Sequence, residues 1–203
     1  AAKVLVGSEK DRIERIKKHP QRMTELHSVL VGLAEATAKF KEQDKKLMVY
    51  TTDPLPEDLE VTGHPVAKVY LSANATDTTL FVYLEDVTPE EQVHYVTEGE
   101  LRALHRTRQP AKPTTNQLLS IPNRTFRRAD AAPLVPGEVV PLTLDLLPVS
   151  YQFKKGHRIR VALAGVDKDH FQLLDGPSPT WKIWRTSDRP SHIELPVVLH
   201  SFQ

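Results

Sequence analysis

Between Val140 and Leu163 the apolar residues fall on every second position. Val140, Leu142, Leu144 and Leu146 alternate with Thr143 and Asp145, and Ile159, Val161 and Leu163 alternate with Arg158 and Arg160. In an extended chain successive side chains point to opposite faces, so this pattern demands a sheet with one buried and one solvated face. The two runs read as strands joined by a connection that contains a turn. Gly156, after Lys154 and Lys155, suits the turn position that needs positive φ.

The same period governs the chain from Leu47 onward. Ala67, Val69 and Leu71 share a face, as do Leu80, Val82 and Leu84, with Phe81 and Tyr83 opposite. Val93–Val96 and Leu118–Ile121 are shorter strand candidates. Ile193, Leu195, Val197 and Leu199 form the last run, and Pro196 inside it points to an edge position or a bulge, because proline cannot donate to a ladder. Strands separated by proline- and glycine-bearing turns, with no helical period between them, imply a two-sheet β-sandwich. The fold class is therefore all-β over 47–203, and residues 1–46 form a separate helical segment. Within that segment Ser8 and Asp11 resemble a capping box, Ile13 and Ile16 share a face, and His19-Pro20 interrupts the helix. A longer helix over 21–46 carries Met23, Leu26, Leu30, Leu33 and Phe40 at spacings of three, four and seven. An amphipathic helix packed on its own domain accounts for that seam; a homo-oligomer joined through residues 21–46 is the sharper reading.

Several quoted stretches resemble one family in order. Val49-Tyr50-Thr51-Thr52-Asp53-Pro54-Leu55-Pro56-Glu57-Asp58-Leu59-Glu60-Val61-Thr62-Gly63 is similar to Y-T-S-x-P-L-x-x-D-x-E-V-T-G. Leu71-Ser72 with Asp77-Thr78-Thr79-Leu80-Phe81, then Leu84-Glu85-Asp86-Val87-Thr88-Pro89, then Glu98-Gly99-Glu100-Leu101-Arg102-Ala103 follow. Phe153-Lys154-Lys155-Gly156-His157-Arg158-Ile159-Arg160-Val161 and Ser191-His192-Ile193-Glu194-Leu195-Pro196-Val197 complete the set. Together they resemble the C-terminal β-domain of the cocaine esterase and X-Pro dipeptidyl-peptidase (CocE/NonD) serine hydrolases. The resemblance implies a jelly-roll, galactose-binding-like β-sandwich with Gly63, Gly99, Arg102, Gly156, His157 and Arg158 in its framework. It implies an α/β-hydrolase catalytic domain as partner, on the same polypeptide or a separate chain, which the sandwich braces. It also implies a contribution to the rim of the substrate pocket, for which the loops 74–79 and 167–171 are the candidates: Asn74, Asp77, Thr78, Thr79, Asp169 and Phe171. Thr79 stands where the family usually has a second Asp, and Ala164-Gly165-Val166 where a serine-rich strand end is usual.

The chain's own chemistry is sparse. None of its 8 glycines supplies a G-x-S-x-G elbow, so no catalytic residue is assigned. Cysteine is absent, which excludes disulfides, zinc–thiolate sites and thiol nucleophiles, and fits the cytoplasm. Asp167, Asp169 and Asp175 flank His170, but without a glycine-centred calcium loop a solvated acidic loop is the better account. His192 and Glu194 form a strand-surface pair. Trp181 and Trp184, three apart on a strand, face opposite sides and make a poor sugar platform. No metal and no cofactor is expected. A net charge of +1 gives no reason to expect nucleic acid, with Arg124, Arg127 and Arg128 around Phe126 too small a patch. No apolar run approaches the roughly 20 residues of a membrane span. The rival to the accessory-domain reading is a free-standing binding or assembly module.

Overall fold

A computed structural model describes residues 47–109, 121–167, 170–172, 174 and 179–198. In chain order the strands are β1 (Met48–Thr51), β2 (Leu59–Gly63), β3 (Val66–Ala73), β4 (Thr79–Val87), β5 (Val93–Arg102) and β6 (Val140–Asp145). They continue with β7 (Val149–Phe153), β8 (Arg158–Ala164), β9 (Trp181–Thr186), β10 (Arg189–Pro190) and β11 (His192–Glu194). One antiparallel sheet has the order β1-β8-β4-β5. The second is built on β3, with β6 along one edge and β9 and β11 sharing the other, and β10 beyond β9. A short ladder joins β2 to β7.

The predicted alternation places the core. Leu80, Val82 and Leu84 of β4 and Ile159 and Leu163 of β8 pack in one cluster with Ala67, Val69 and Leu71 of β3 and Leu142 and Leu144 of β6. This is the jelly-roll β-sandwich that the sequence implies, its two inner faces closing on one apolar layer.

Four details depart from the sequence reading. Val140–Asp145 and Arg158–Ala164 are not neighbours: β6 joins β3 in one sheet, β8 joins β4 and β1 in the other, and β7 intervenes to pair with β2. Period two says which face a side chain takes and nothing about which strand lies beside it. Next, β4 has no wet face. Phe81 and Tyr83 are buried with Ala162 and Ala164, Leu47 packs against them, and Glu85 is buried in the same strand. Third, β5 runs past the expected Val93–Val96, through Glu98-Gly99-Glu100, to Arg102. Last, β11 stops at Glu194. Pro196 then accepts a hydrogen bond from the Thr62 amide at 3.0 Å, and Val197 bridges Val61 of β2. β11 is an edge strand, one of the two outcomes open for the run that contains Pro196, and Gly63 closes β2 against the ring of Pro196. Ile121 lies outside any strand, while Leu118–Ser120 and the helical segment 1–46 fall outside the described residues.

Gly156 has φ +83°, the left-handed value expected for its turn. Its amide donates to the Leu55 carbonyl at 2.9 Å, and the Leu55 amide donates to the His157 carbonyl at 2.8 Å, so the turn is stitched to the segment before β2.

Candidate functional site

Sequence motifs that are far apart meet around the β4–β8 ladder. Its register sets Glu85 opposite Arg160, Asp86 opposite Ile159 and Val87 opposite Arg158. Successive residues point to opposite faces, so the neighbouring acids Glu85 and Asp86 serve two separate networks. Asp86 turns to the side of Tyr151 and His157: it accepts from the Tyr151 hydroxyl at 2.8 Å and from His157 Nδ1 at 2.9 Å. Burial, and then the bond to Asp86, push the Tyr151 phenol above its ordinary range, so it stays a neutral donor. Glu85, fully buried, accepts from Arg160 Nε at 2.8 Å. Asp58, from the opening motif, takes Lys154 Nζ at 2.9 Å and the Lys155 amide at 2.8 Å, which hold its carboxyl below the usual range. Arg158 Nη1 donates to the Thr52 carbonyl at 3.1 Å. A histidine bonded to a buried aspartate has the geometry of a relay, but among the described residues no serine hydroxyl meets the ring. This corner ties β4, β7 and β8 to the segments before β2 and β8.

The five rim candidates among the described residues divide into two places. Asp77 accepts from Arg102 Nε at 2.5 Å and from the amides of Thr78 and Leu104 at 2.9 and 3.3 Å. Thr78 is fully buried and its carbonyl accepts from the Ala103 amide at 2.8 Å. Together they lock the start of β4 to the end of β5, where Thr79 lies opposite Arg102. Asn74 turns to the other sheet: its amide donates to the Thr180 carbonyl at 3.1 Å, and its side-chain oxygen accepts from the Thr180 amide at 2.8 Å. Phe171 returns to the first group, its ring 4.9 Å from that of Phe81. Asp169 lies outside the described residues.

Phe81 belongs to the outer face of the β1-β8-β4-β5 sheet. Rows across this face run Ala164–Phe81–Glu100 and Val49–Ala162–Tyr83–Glu98, with Tyr95 opposite Glu85 beyond an irregularity in the β4–β5 ladder. Phe81, Tyr83 and Tyr95 thus form an aromatic ridge flanked by carboxylates. The Tyr83 hydroxyl donates to Asp167 at 3.1 Å, and His170 Nδ1 reaches the same carboxylate at 3.0 Å. Burial, followed by Asp167, drives the Tyr83 phenol above its ordinary range; burial, followed by Glu98 and Glu100, pushes Tyr95 up to about 12. Glu98 is also raised, first by burial and then by the charges of Glu100 and Asp167. The sequence carried one signal for this face: two aromatics, Phe81 and Tyr83, at alternate positions where solvated residues were expected.

A carboxylate whose folded-state pKa is raised stabilises the fold below its unfolded pKa and loses that contribution as pH climbs through the folded value. Glu98→Gln is therefore expected to raise the melting temperature at pH 7 by a degree or so, on the order of a surface-charge effect. The gain should shrink to nothing below the usual glutamate range. A pH series of thermal melts checks both arms; a gain that persists in acid contradicts the assignment.

Asp167 is engaged by Tyr83 and His170, and no group of three or more metal-binding side chains converges among the described residues. His192 Nε2 and Glu194 Oε1 lie 3.4 Å apart on β11. Trp181 packs on the core, and Trp184 donates to Ser72 at 3.3 Å with Arg189 over its ring. Arg124 Nη2 donates to the Thr143 carbonyl of β6. Among the described residues no helix is long and apolar enough to cross a membrane.

Comparison with known proteins bears on this arrangement. The family described as the X-Pro dipeptidyl-peptidase C-terminal non-catalytic domain matches residues 12–181, a span that begins before the described residues and runs through β8 to the first residue of β9. A proposed serine esterase of Mycobacterium tuberculosis is 51% identical over 158 residues, which cover 78% of this chain and 25% of that protein. The cocaine esterase of a Rhodococcus species is 27% identical over 168 residues, 75% of this chain and 25% of that one. Among solved structures, an aminopeptidase from a marine-sediment Thaumarchaeota archaeon superposes with TM-score 0.57 at 25% identity, over 75% of this chain and 26% of its own. A CocE/NonD family hydrolase from Staphylococcus aureus shares the fold with TM-score 0.59 at 18% identity, over 75% and 30%. The chain spans about a quarter of the length of the curated relatives it matches.

Proposed function

We propose that this chain, which belongs to the X-Pro dipeptidyl-peptidase C-terminal non-catalytic domain family, braces an α/β-hydrolase catalytic domain through the outer face of its β1-β8-β4-β5 sheet. The aromatic ridge on that face carries the reading. Tyr95 and Phe171, exposed over the buried Phe81 and Tyr83, give an apolar surface edged by Glu98 and Glu100, and aromatic side chains of this kind anchor protein contacts at low entropic cost. The loops holding Asp77, Thr79 and Phe171 end beside that ridge and would form part of the pocket wall. The parent reaction is acyl transfer to water through a serine ester, with the nucleophile, base and oxyanion donors all supplied by the catalytic domain.

The full-length mycobacterial relative offers the test. Tyr95→Asp with Phe171→Asp, placed at the aligned positions, should lower kcat/KM by about tenfold, because small misplacements of a catalytic constellation are costly. The catalytic and β-domains should then melt in separate steps. Phe171→Ala alone should change KM between small and bulky esters while leaving kcat in place. Unchanged kcat/KM and a single unaltered transition in the double variant would overturn the bracing role; an unchanged KM in the single variant would remove the pocket wall.

A further inference from the structure

The two sheets do not close on each other along one side. Where β1, the outer strand of the first sheet, faces β9 and β11 of the second, a cleft of about 420 Å³ opens between them. Sandwich interiors are normally filled by interdigitating side chains, with few voids larger than a water molecule. This opening falls instead within the size range of small-ligand sites. Its walls are apolar: Val161 of β8 on one side, Ile183 of β9 and Ile193 of β11 on the other, with the buried Val69, Val82 and Leu163 behind them.

The mouth is different. Arg185 of β9 reaches across from the second sheet and lies over the ring of Tyr50 in β1, 4.7 Å from its centre. The ring face holds the cation in place without neutralising it. Among the described residues no carboxylate pairs with Arg185. The other polar groups there are already engaged. Ser191 Oγ accepts from the Tyr70 amide at 2.9 Å and donates to the Trp184 carbonyl at 2.5 Å. Thr52 Oγ1 accepts from the Ile159 amide at 3.1 Å and donates to the Asp53 carbonyl at 2.8 Å. One positioned guanidinium at the entrance of an apolar slot selects a ligand with a single negative charge and an unbranched or flat apolar body.

We propose that this inter-sheet cleft binds an apolar monocarboxylate, its carboxylate on Arg185 at the mouth and its acyl chain between Val161, Ile183 and Ile193. A guanidinium and a carboxylate form charge-assisted, two-point hydrogen bonds, which an alcohol of equal chain length cannot make. The chain supplies apolar area, and the head group supplies the selection.

Octanoate, below its micelle-forming concentration, is the probe, with octan-1-ol as the uncharged control, titrated into the full chain. Methyl resonances of Ile183 and Ile193 report occupancy of the cleft. Saturable shifts of these methyls by octanoate are expected, with octan-1-ol about tenfold weaker, the equivalent of roughly 1.4 kcal/mol. Arg185→Gln is an exposed substitution that leaves the fold intact; it should lose about the same tenfold for octanoate and nothing for octan-1-ol. Absence of saturable methyl shifts would overturn the proposal. So would equal binding of acid and alcohol, or an octanoate affinity indifferent to Arg185→Gln, since either reduces the cleft to unselective apolar uptake.

Discussion

Replacing Gly99 with alanine should cost the domain about 3 kcal/mol or more, at the upper end for overpacking a close contact. Gly99 lies in the middle of β5, opposite Val82, with the end of β6 passing directly over it. A Cβ there would press on the Asp145 carbonyl oxygen and lie 3.0 Å from the Leu146 Cα. Both obstacles are backbone, and the backbone is pinned. The Leu147 amide donates to the Glu98 carbonyl at 2.8 Å, Thr97 Oγ1 donates to the Leu147 carbonyl at 2.8 Å, and the Leu146 amide donates to the Pro65 carbonyl at 2.8 Å. Relief of the clash would break that set. Since whole-domain stabilities are only about 5–15 kcal/mol, the change is large. Gly137→Ala is the control: its φ is +84° but nothing lies within 4 Å of a new Cβ, so only the left-handed backbone penalty of about 1–2 kcal/mol applies. Urea denaturation of both variants checks the comparison. A Gly99→Ala midpoint no lower than that of Gly137→Ala would show that the β5–β6 crossing yields freely.

Arg160→Met should be the other severe change, destabilising by about 3–5 kcal/mol at neutral pH, because it removes the guanidinium from a fully buried Glu85. The double variant Glu85→Leu, Arg160→Met should regain most of the loss, since the penalty arises from a buried charge that has lost this guanidinium and not from the missing pair. A carboxylate deprived of its cation in a buried site favours its protonated form. Its folded-state pKa then exceeds the unfolded one, so the variant's deficit should be greatest at pH 7 and shrink as the pH falls toward the glutamate range. Equilibrium denaturation at several pH values tests both statements. A double variant no more stable than Arg160→Met would mean that the ion pair contributes net stability rather than only avoiding a buried charge.

Much of the fold is legible in short stretches of sequence. Val66–Ala73, Thr79–Val87, Val140–Asp145 and Arg158–Ala164 announce themselves as strands by alternation, and Gly156 and Pro196 announce a left-handed turn and an edge. The length of β5 was hidden because Glu98-Gly99-Glu100 has the composition of a turn. Gly99 is there to let another backbone pass, which is a property of its neighbour and not of its own segment. The outer face was misread for a related reason. Glu85 and Arg160 look like solvated residues one at a time, and only their register, opposite each other on adjacent strands, makes them a buried pair.

The candidate site was legible in part. Asp77 is held by Arg102 at the end of β5 and Phe171 packs on Phe81, whereas Asn74 is bonded to Thr180 beside the second sheet. Tyr83, Tyr95 and Glu98, which shape the surface between them, had no motif to mark them. Arg185 and Tyr50 were equally silent, being separated in the chain and facing each other across the sandwich.

By itself, then, the order of residues determined the strand content, the two-sheet architecture, the absence of a G-x-S-x-G nucleophile and the resemblance to a family of accessory β-domains. Each of these follows from side-chain period, turn chemistry or a local motif, all of which act over a few residues. The tertiary structure alone decided that β6 and β8 belong to different sheets. It also joined Asp86 to Tyr151 and His157 across 65 and 71 positions, buried both faces of β4, and left the cleft open under Arg185. Those outcomes depend on which strands become neighbours, a choice made by the burial of whole faces against each other and beyond the reach of any single segment's pattern.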